Sequence, residues 1–284
     1  MSDAANATSG FADIDGTRLY YETAGTGQPL VLLHAGIADS CMWNDQFTVF
    51  AQHYRVIRYD LRGFGKSDAP PESFSNSTDL YKLLQFLGID RAALIGVSMG
   101  GSTIIDFALE HSEMVTALIP VCAGLSGYTF QGEMPPVWSD ILAEDAAIEA
   151  LFKQGDTEQA TARSAELDMR VWFDGLERTP HDVDPAIRAR ALEMALLTYQ
   201  HVGVERMEQP LEPPAATRLA DIIAPTLVIV GAGDLPSIRE IADQLEAGIP
   251  GARKVVMPVV AHLPNMERPD EFNQHVLGFL QEVL

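Results

Sequence analysis

Three short stretches of this 284-residue chain hold residue types that could do chemistry together. In LIGVSMGG (94–101), Ser98 has Gly96 two places before it and Gly100 two places after it. VGAGDLP sets Asp234 just behind an apolar run, and VVAHLPNMERP does the same for His262. A serine hydroxyl is a weak nucleophile until a base takes its proton, and the base needs a third group to orient it. Serine, histidine and aspartate are that set, and the chemistry they suit is attack on an acyl carbonyl. The Gly-x-Ser-x-Gly spacing arises by chance in roughly one chain of this length in ten, at about 7% usage per residue, so its partners must carry the reading.

A nucleophilic serine on a sharp strand-to-helix turn needs small neighbours two places to either side, where larger side chains would collide. Gly96 and Gly100 meet that demand. The helix after the turn would begin at Met99, whose backbone N–H lies where negative charge would develop on a substrate oxygen. A second N–H is expected from the loop His34-Ala35-Gly36-Ile37, and Gly36 is assigned to it; His34 reads as a support for that loop. Of the other histidines, His53 and His111 sit near predicted helix ends, His275 lies in the last predicted helix, and His181 and His201 lie in a helical region. These five read as surface or packing residues. Asp234 has a simpler alternative reading as a helix N-cap.

The elements that must place these groups follow from apolar patterning. FADIDGTRLYYETAG alternates about Asp15-Gly16, the pattern of a hairpin. PLVLLHAG (29–36), YRVIRYDLRGFG (54–65), AALIGVS (92–98), VTALIPVCAG (115–124), PTLVIVGAGD (225–234) and RKVVMP (253–258) read as strands, several of them continuously apolar and so buried on both faces. TDLYKLLQFLGI, STIIDFALEHS, SIREIADQLEAGI and DEFNQHVLGFLQEVL read as helices between or after them, the alternation of a parallel sheet with crossover helices. From 125 to 215 the rhythm breaks. That stretch holds helical runs such as DILAEDAAIEALFKQ and AIRARALEMALLTYQHV, seventeen acidic residues against seven basic ones, and a Pro-rich end, EQPLEPPAATR. The expected organisation is a core of 1–124 and 216–284 with a helical cap insertion at 125–215. Ser98, Asp234 and His262 would then all stand at the carboxyl edge of one sheet, where open α/β sheets place their sites.

Composition narrows the partners. Hydrophobic residues make up 47% of the chain and charged ones 21%, a globular balance. Nineteen Lys and Arg against forty Asp and Glu give a net charge of −21, which argues against nucleic acid or an anionic membrane as a partner. Two cysteines, Cys41 and Cys122, are too few for a disulfide framework. MSDAANATSG lacks the basic and apolar regions of a signal peptide, and no run is long enough for a membrane span, so a cytoplasmic protein acting on a small molecule is expected. GFGKS (63–67) and GAGDLP fail the phosphate-loop and dinucleotide patterns. No histidine or cysteine spacing points to a metal, and no cofactor is expected.

LLHAGIADSCMW, YDLRGFGKSD, IGVSMGG, VGAGD and AHLPNMERP together resemble the α/β-hydrolase superfamily in its helical-cap form, over about 15–124 and 216–284. The elbow and the run DLPSIREIADQLEAGIPGARKVVMP are also similar to 3-oxoadipate enol-lactonase-type hydrolases. The resemblance implies a mostly parallel eight-stranded sheet flanked by helices, and the chain order Ser98, Asp234, His262 is the one that architecture uses. It departs from the usual His-Gly at Ala35, and from the usual glycine-containing residues before the base at Val260-Ala261. The function expected is a cofactor-independent serine hydrolase of small carboxylic esters or lactones, acting through an acyl-enzyme. Met99 and Gly36 N–H would hold the oxyanion, and Trp43, Trp138, Trp172 and Phe173 would border the substrate pocket. Alternatives are non-ester chemistry on the same fold (carbon–carbon bond hydrolysis, perhydrolysis, a cofactor-free lyase or oxygenase) and a ligand-binding sensor with a slow triad.

Overall fold

The computed structural model describes residues 7–69, 73–199 and 208–284. An eight-stranded mixed sheet forms its centre. In chain order the strands are β1 (Thr8–Ile14), β2 (Thr17–Ala24), β3 (Pro29–Leu33), β4 (Arg55–Tyr59), β5 (Ala92–Val97), β6 (Val115–Val121), β7 (Leu227–Gly231) and β8 (Arg253–Met257). Their order across the sheet is β1-β2-β4-β3-β5-β6-β7-β8. β1 pairs antiparallel with β2, and β2 with β4. All other neighbours are parallel. The hairpin between β1 and β2 turns at Asp15 and Gly16, with φ of 53° and 79°, the two positive values a tight primed turn requires.

Every residue of β5 is buried, because helices cover both faces of the sheet's middle. Apolar β-rich sequence therefore marks this strand as an interior one, and the observed pairing sets it between β3 and β6. The helices are α1 (Asn44–Phe50), α2 (Asn76–Phe86), α3 (Met99–Glu110), α4 (Trp138–Gln154), α5 (Thr157–Asp168), α6 (Pro185–Thr198), α7 (Pro236–Gly248), α8 (Pro264–Glu267) and α9 (Pro269–Val283). Parallel pairing from β4 to β8 points the carboxyl ends of these strands to one edge. Ser98 follows β5 directly, Asp234 comes three residues after β7, and His262 comes five after β8.

Between β6 and β7 the described regular elements are helical, α4 to α6. Gly155 ends α4 in the left-handed conformation at φ 83°, and Asp156 caps α5 by accepting from Gln159 N–H. The helix read from AIRARALEMALLTYQHV is seen as α6 up to Thr198; the end of that stretch, with His201, lies outside the described residues. α5 was not distinguished by the sequence pattern, because it buries only Ala160, Ser164 and Ala165 and so presents no long apolar stripe. Ser126 ties the two ends of this helical stretch together. Its hydroxyl donates to Asp106 of α3 and accepts from Ala215 N–H, while its carbonyl accepts from Ala216 N–H. No helix of the described residues is long and apolar enough to cross a membrane.

Candidate active site

Ser98 is held at φ 54°, ψ −110°, a conformation that side chains rarely adopt. Such strain costs on the order of 1–3 kcal/mol and persists only where the surroundings over-determine it. Here they do. Ser98 N–H donates to Val121 C=O of β6, and Ser98 C=O accepts from Ser102 and Gly124 N–H. The glycines make the turn possible. A Cβ on Gly96 would lie 2.2 Å from Gly100 O, and one on Gly100 would lie 2.6 Å from Leu33 O. α3 thus closes against both its own strand and the end of β3. Ser98 and Met99 keep partial exposure although their neighbours Val97 and Gly100 are buried.

The loop after β3 is braced from below. His34 is fully buried, its Nδ1 lies 2.8 Å from Ala35 O, and its Nε2 accepts from Leu61 N–H at 2.9 Å. Both ring nitrogens are engaged, and burial lowers the pKa, so His34 is a neutral strut. Ala35 N–H is directed at Met42 Sδ, 3.3 Å away, and Ala35 O accepts from Ala38 N–H. Gly36 and Ile37 are half-exposed, like Ser98 and Met99. Met99 is the first residue of α3, so its N–H has no acceptor within the helix.

Asp234 and His262 form a buried pair, with His262 Nδ1 2.7 Å from Asp234 Oδ2. Asp234 Oδ1 accepts from Leu235 N–H, its immediate neighbour, rather than from the N2 or N3 position of α7 that an N-cap side chain would serve. His262 N–H donates to Trp172 C=O at 3.1 Å, and the two rings lie 4.5 Å apart. Glu267 accepts from Ala261 N–H and pairs with Arg178, whose guanidinium also reaches the carbonyls of Phe173, Asp174 and Val259. The histidine loop is therefore tied to the segment 172–178, a connection with no counterpart in the sequence motifs.

The predicted pocket aromatics separate into two groups. Trp43 and Phe173 have no exposed surface and lie in the core, Trp43 packed on Phe272. Trp138 and Trp172 are half-buried. Large rings in helical turns look the same in sequence whether they close a core or line a cleft. Of the other histidines, His111 stacks on Tyr81 and His275 lies 4.0 Å from Glu271.

One neighbour was not anticipated. Cys122, the first residue after β6, is buried at φ 43°, and its Sγ lies with the Asp234 carboxylate and the His262 ring nitrogen inside a 4.8 Å cluster. These are metal-ligand types. Donor atoms on a tetrahedral Zn²⁺ at bond lengths of ~2.0–2.1 Å sit about 3.3 Å apart. The 2.7 Å contact between Nδ1 and Oδ2 is shorter and is a hydrogen bond, so the trio as placed does not fit an ion. Burial, and then the Asp234 charge, push the Cys122 thiol well above its usual pKa.

A family model described as the alpha/beta hydrolase family matches residues 30–275. The chain is 31% identical to a 2-hydroxy-6-oxononadienedioate/2-hydroxy-6-oxononatrienedioate hydrolase from Burkholderia vietnamiensis, across 97% of this chain and 96% of that one. It is 29% identical to a pimeloyl-[acyl-carrier protein] methyl ester esterase from Pectobacterium atrosepticum, across 93% and 98%. Among solved structures, the enol-lactonase from Burkholderia xenovorans LB400 superposes with a TM-score of 0.75 at 26% identity, covering 96% of this chain and all of that one.

Proposed function

This chain belongs to the alpha/beta hydrolase family and is a hydrolase, and from that premise we propose that it cleaves a small carboxylic ester or lactone by a Ser98–His262–Asp234 mechanism. The observation that carries the reading is the strained Ser98 elbow on the same sheet edge as the buried, hydrogen-bonded Asp234–His262 pair. In the proposed cycle His262 Nε2 takes the Ser98 hydroxyl proton as Oγ attacks the carbonyl carbon. The Met99 and Gly36 N–H groups hold the resulting oxyanion. The tetrahedral centre collapses, the C–O bond breaks, and His262 returns its proton to the departing alkoxide. Water then attacks the acyl-enzyme, giving its proton to His262, and the acid leaves as Ser98 is reprotonated. Asp234 stays ionised throughout, keeping Nδ1–H directed at its carboxylate and stabilising the imidazolium. The helical stretch 125–215 serves as the cap, with Trp172 at the border of the substrate cleft.

Similarity to a methyl ester esterase and an enol-lactonase favours esters and lactones. A second reading, carbon–carbon bond hydrolysis on the same residues, draws on the similarity to the oxononadienedioate hydrolase. A fluorophosphonate probe tests the shared step. Rapid labelling mapped to Ser98, lost in Ser98→Ala, is the expected result; labelling elsewhere, or none, overturns it. Turnover of an ester, lactone and vinylogous diketone panel then separates the two substrate classes.

A further inference from the structure

A cavity of about 460 Å³ lies within the helical stretch, between α4, α5 and the chain segment that follows α5. None of Gly36, Ser98, Trp172 or His262 lines it. Its apolar walls include Val137, Leu167, Leu176 and Pro180. The acidic side chains on its lining are each answered by an arginine. Glu144 is held by both Nε and Nη2 of Arg163, while Glu166 and Asp174 share Arg188. Arg178, also on the lining, is occupied by Glu267. Arg170, an exposed residue on the lining, is different: it has no acidic partner among the described residues. In a chain carrying −21, a paired acidic lining beside an unpaired guanidinium favours an anion with an apolar body.

The same segment reaches the catalytic edge. Met169–Phe173 forms one π-helical turn, closed by Asp174 N–H to Met169 C=O at 2.7 Å. Such turns are rare and tend to occur at functional sites. Arg170 and Asp174 of this segment line the cavity, while Trp172 carries the ring and carbonyl that contact His262. We propose that the cavity is a second ligand site, for a small aliphatic carboxylate anchored on Arg170, and that its occupancy is transmitted through the 169–174 turn to His262. Transmission rests on the role of His262 in the proposed function, whereas binding on Arg170 does not.

Hexanoate, hexan-1-ol and hexylamine are the probes, titrated calorimetrically into the full chain carrying Ser98→Ala. Hexanoate is expected to bind, with the alcohol and amine at least tenfold weaker, since a charge-assisted hydrogen bond is worth about 1.5–3 kcal/mol. Arg170→Gln should lose roughly the same factor, by the loss of that bond, and Leu176→Trp should block the space. Equal binding of the alcohol, undiminished binding in both variants, or no binding of hexanoate overturns the site. Transmission is read by the His262 imidazole NMR signals, which should shift with hexanoate in the Ser98→Ala protein but not when Arg170→Gln is added. Signals that stay fixed, or that shift equally without Arg170, overturn transmission. This readout needs no ester turnover, so failure of the proposed reaction would not be mistaken for failure of the site.

Discussion

Trp172 and His262 are joined twice, by tilted rings with centroids 4.5 Å apart and by a hydrogen bond from His262 N–H to Trp172 C=O. Residues ninety positions apart thus share one wall of the site, and the indole supports the imidazole without bonding to it. Trp172→Ala keeps the backbone bond and removes the ring support. It should lower kcat for a p-nitrophenyl ester by about tenfold, the lower end of what loss of a supporting group costs. Trp172→Phe should restore most of the rate, and circular dichroism should show the fold unchanged in both.

Asp234 and His262 Nδ1 are hydrogen-bonded inside a buried site, so in the proposed mechanism the charge of Asp234 and its acceptor geometry both matter. Asp234→Asn preserves shape but favours the wrong imidazole tautomer, and kcat should fall by roughly 10³–10⁴. Steady-state kinetics beside Ser98→Ala will show whether the residual rate exceeds background.

Gly96 and Gly100 are steric requirements rather than flexible links. Gly96→Ala would put a methyl 2.2 Å from Gly100 O, against backbone rather than a side chain that could swing aside. The turn must open, with a stability loss of about 1–3 kcal/mol in chemical denaturation and loss of probe labelling at Ser98.

Asp106 is pushed up to about 6, chiefly by burial, with Ser126 opposing through its hydrogen bond and Glu110 adding to the rise. Its folded pKa is above the usual 3.8, so the stability it contributes is present below about pH 4 and is lost as pH rises to about 6. Asp106→Asn removes that dependence. The variant should gain on the order of 1 kcal/mol over the natural protein at pH 7.5 relative to pH 4. Denaturation at the two pH values checks the sign.

Cys122 is buried with its thiol pKa raised, and the thiol of Cys41, an exposed residue, is pushed up to about 11 by partial desolvation and by Asp39. Thiolate is the reactive form. Neither cysteine should react rapidly with a disulfide reagent at pH 7.5 in the folded protein, and both should react once it is unfolded in guanidinium.

Much of this architecture was legible along the chain. Apolar runs marked β3, β5, β6 and β7 because a strand covered on both faces is apolar at nearly every position, whereas β8, at the sheet's edge, is only partly buried. The Gly-x-Ser-x-Gly turn was legible because a steric demand between positions 96 and 100 leaves a local trace, and Asp234 and His262 because each stands a few residues past a strand. The parts that were not legible depend on which distant segments meet. Trp43 and Phe173 entered the core and Trp172 the site, though all three are aromatic residues in similar surroundings. Cys122 came to rest beside Asp234 and His262, and Arg178 tied the helical stretch to the histidine loop. By itself, the sequence determined the strand order along the chain, most of the longer helices and the local geometry that strains Ser98, since propensity and sterics act between near neighbours. Only the tertiary structure decided what supports His262 and where the cavity beside Arg170 lies, because contacts across ninety residues leave no periodicity to read.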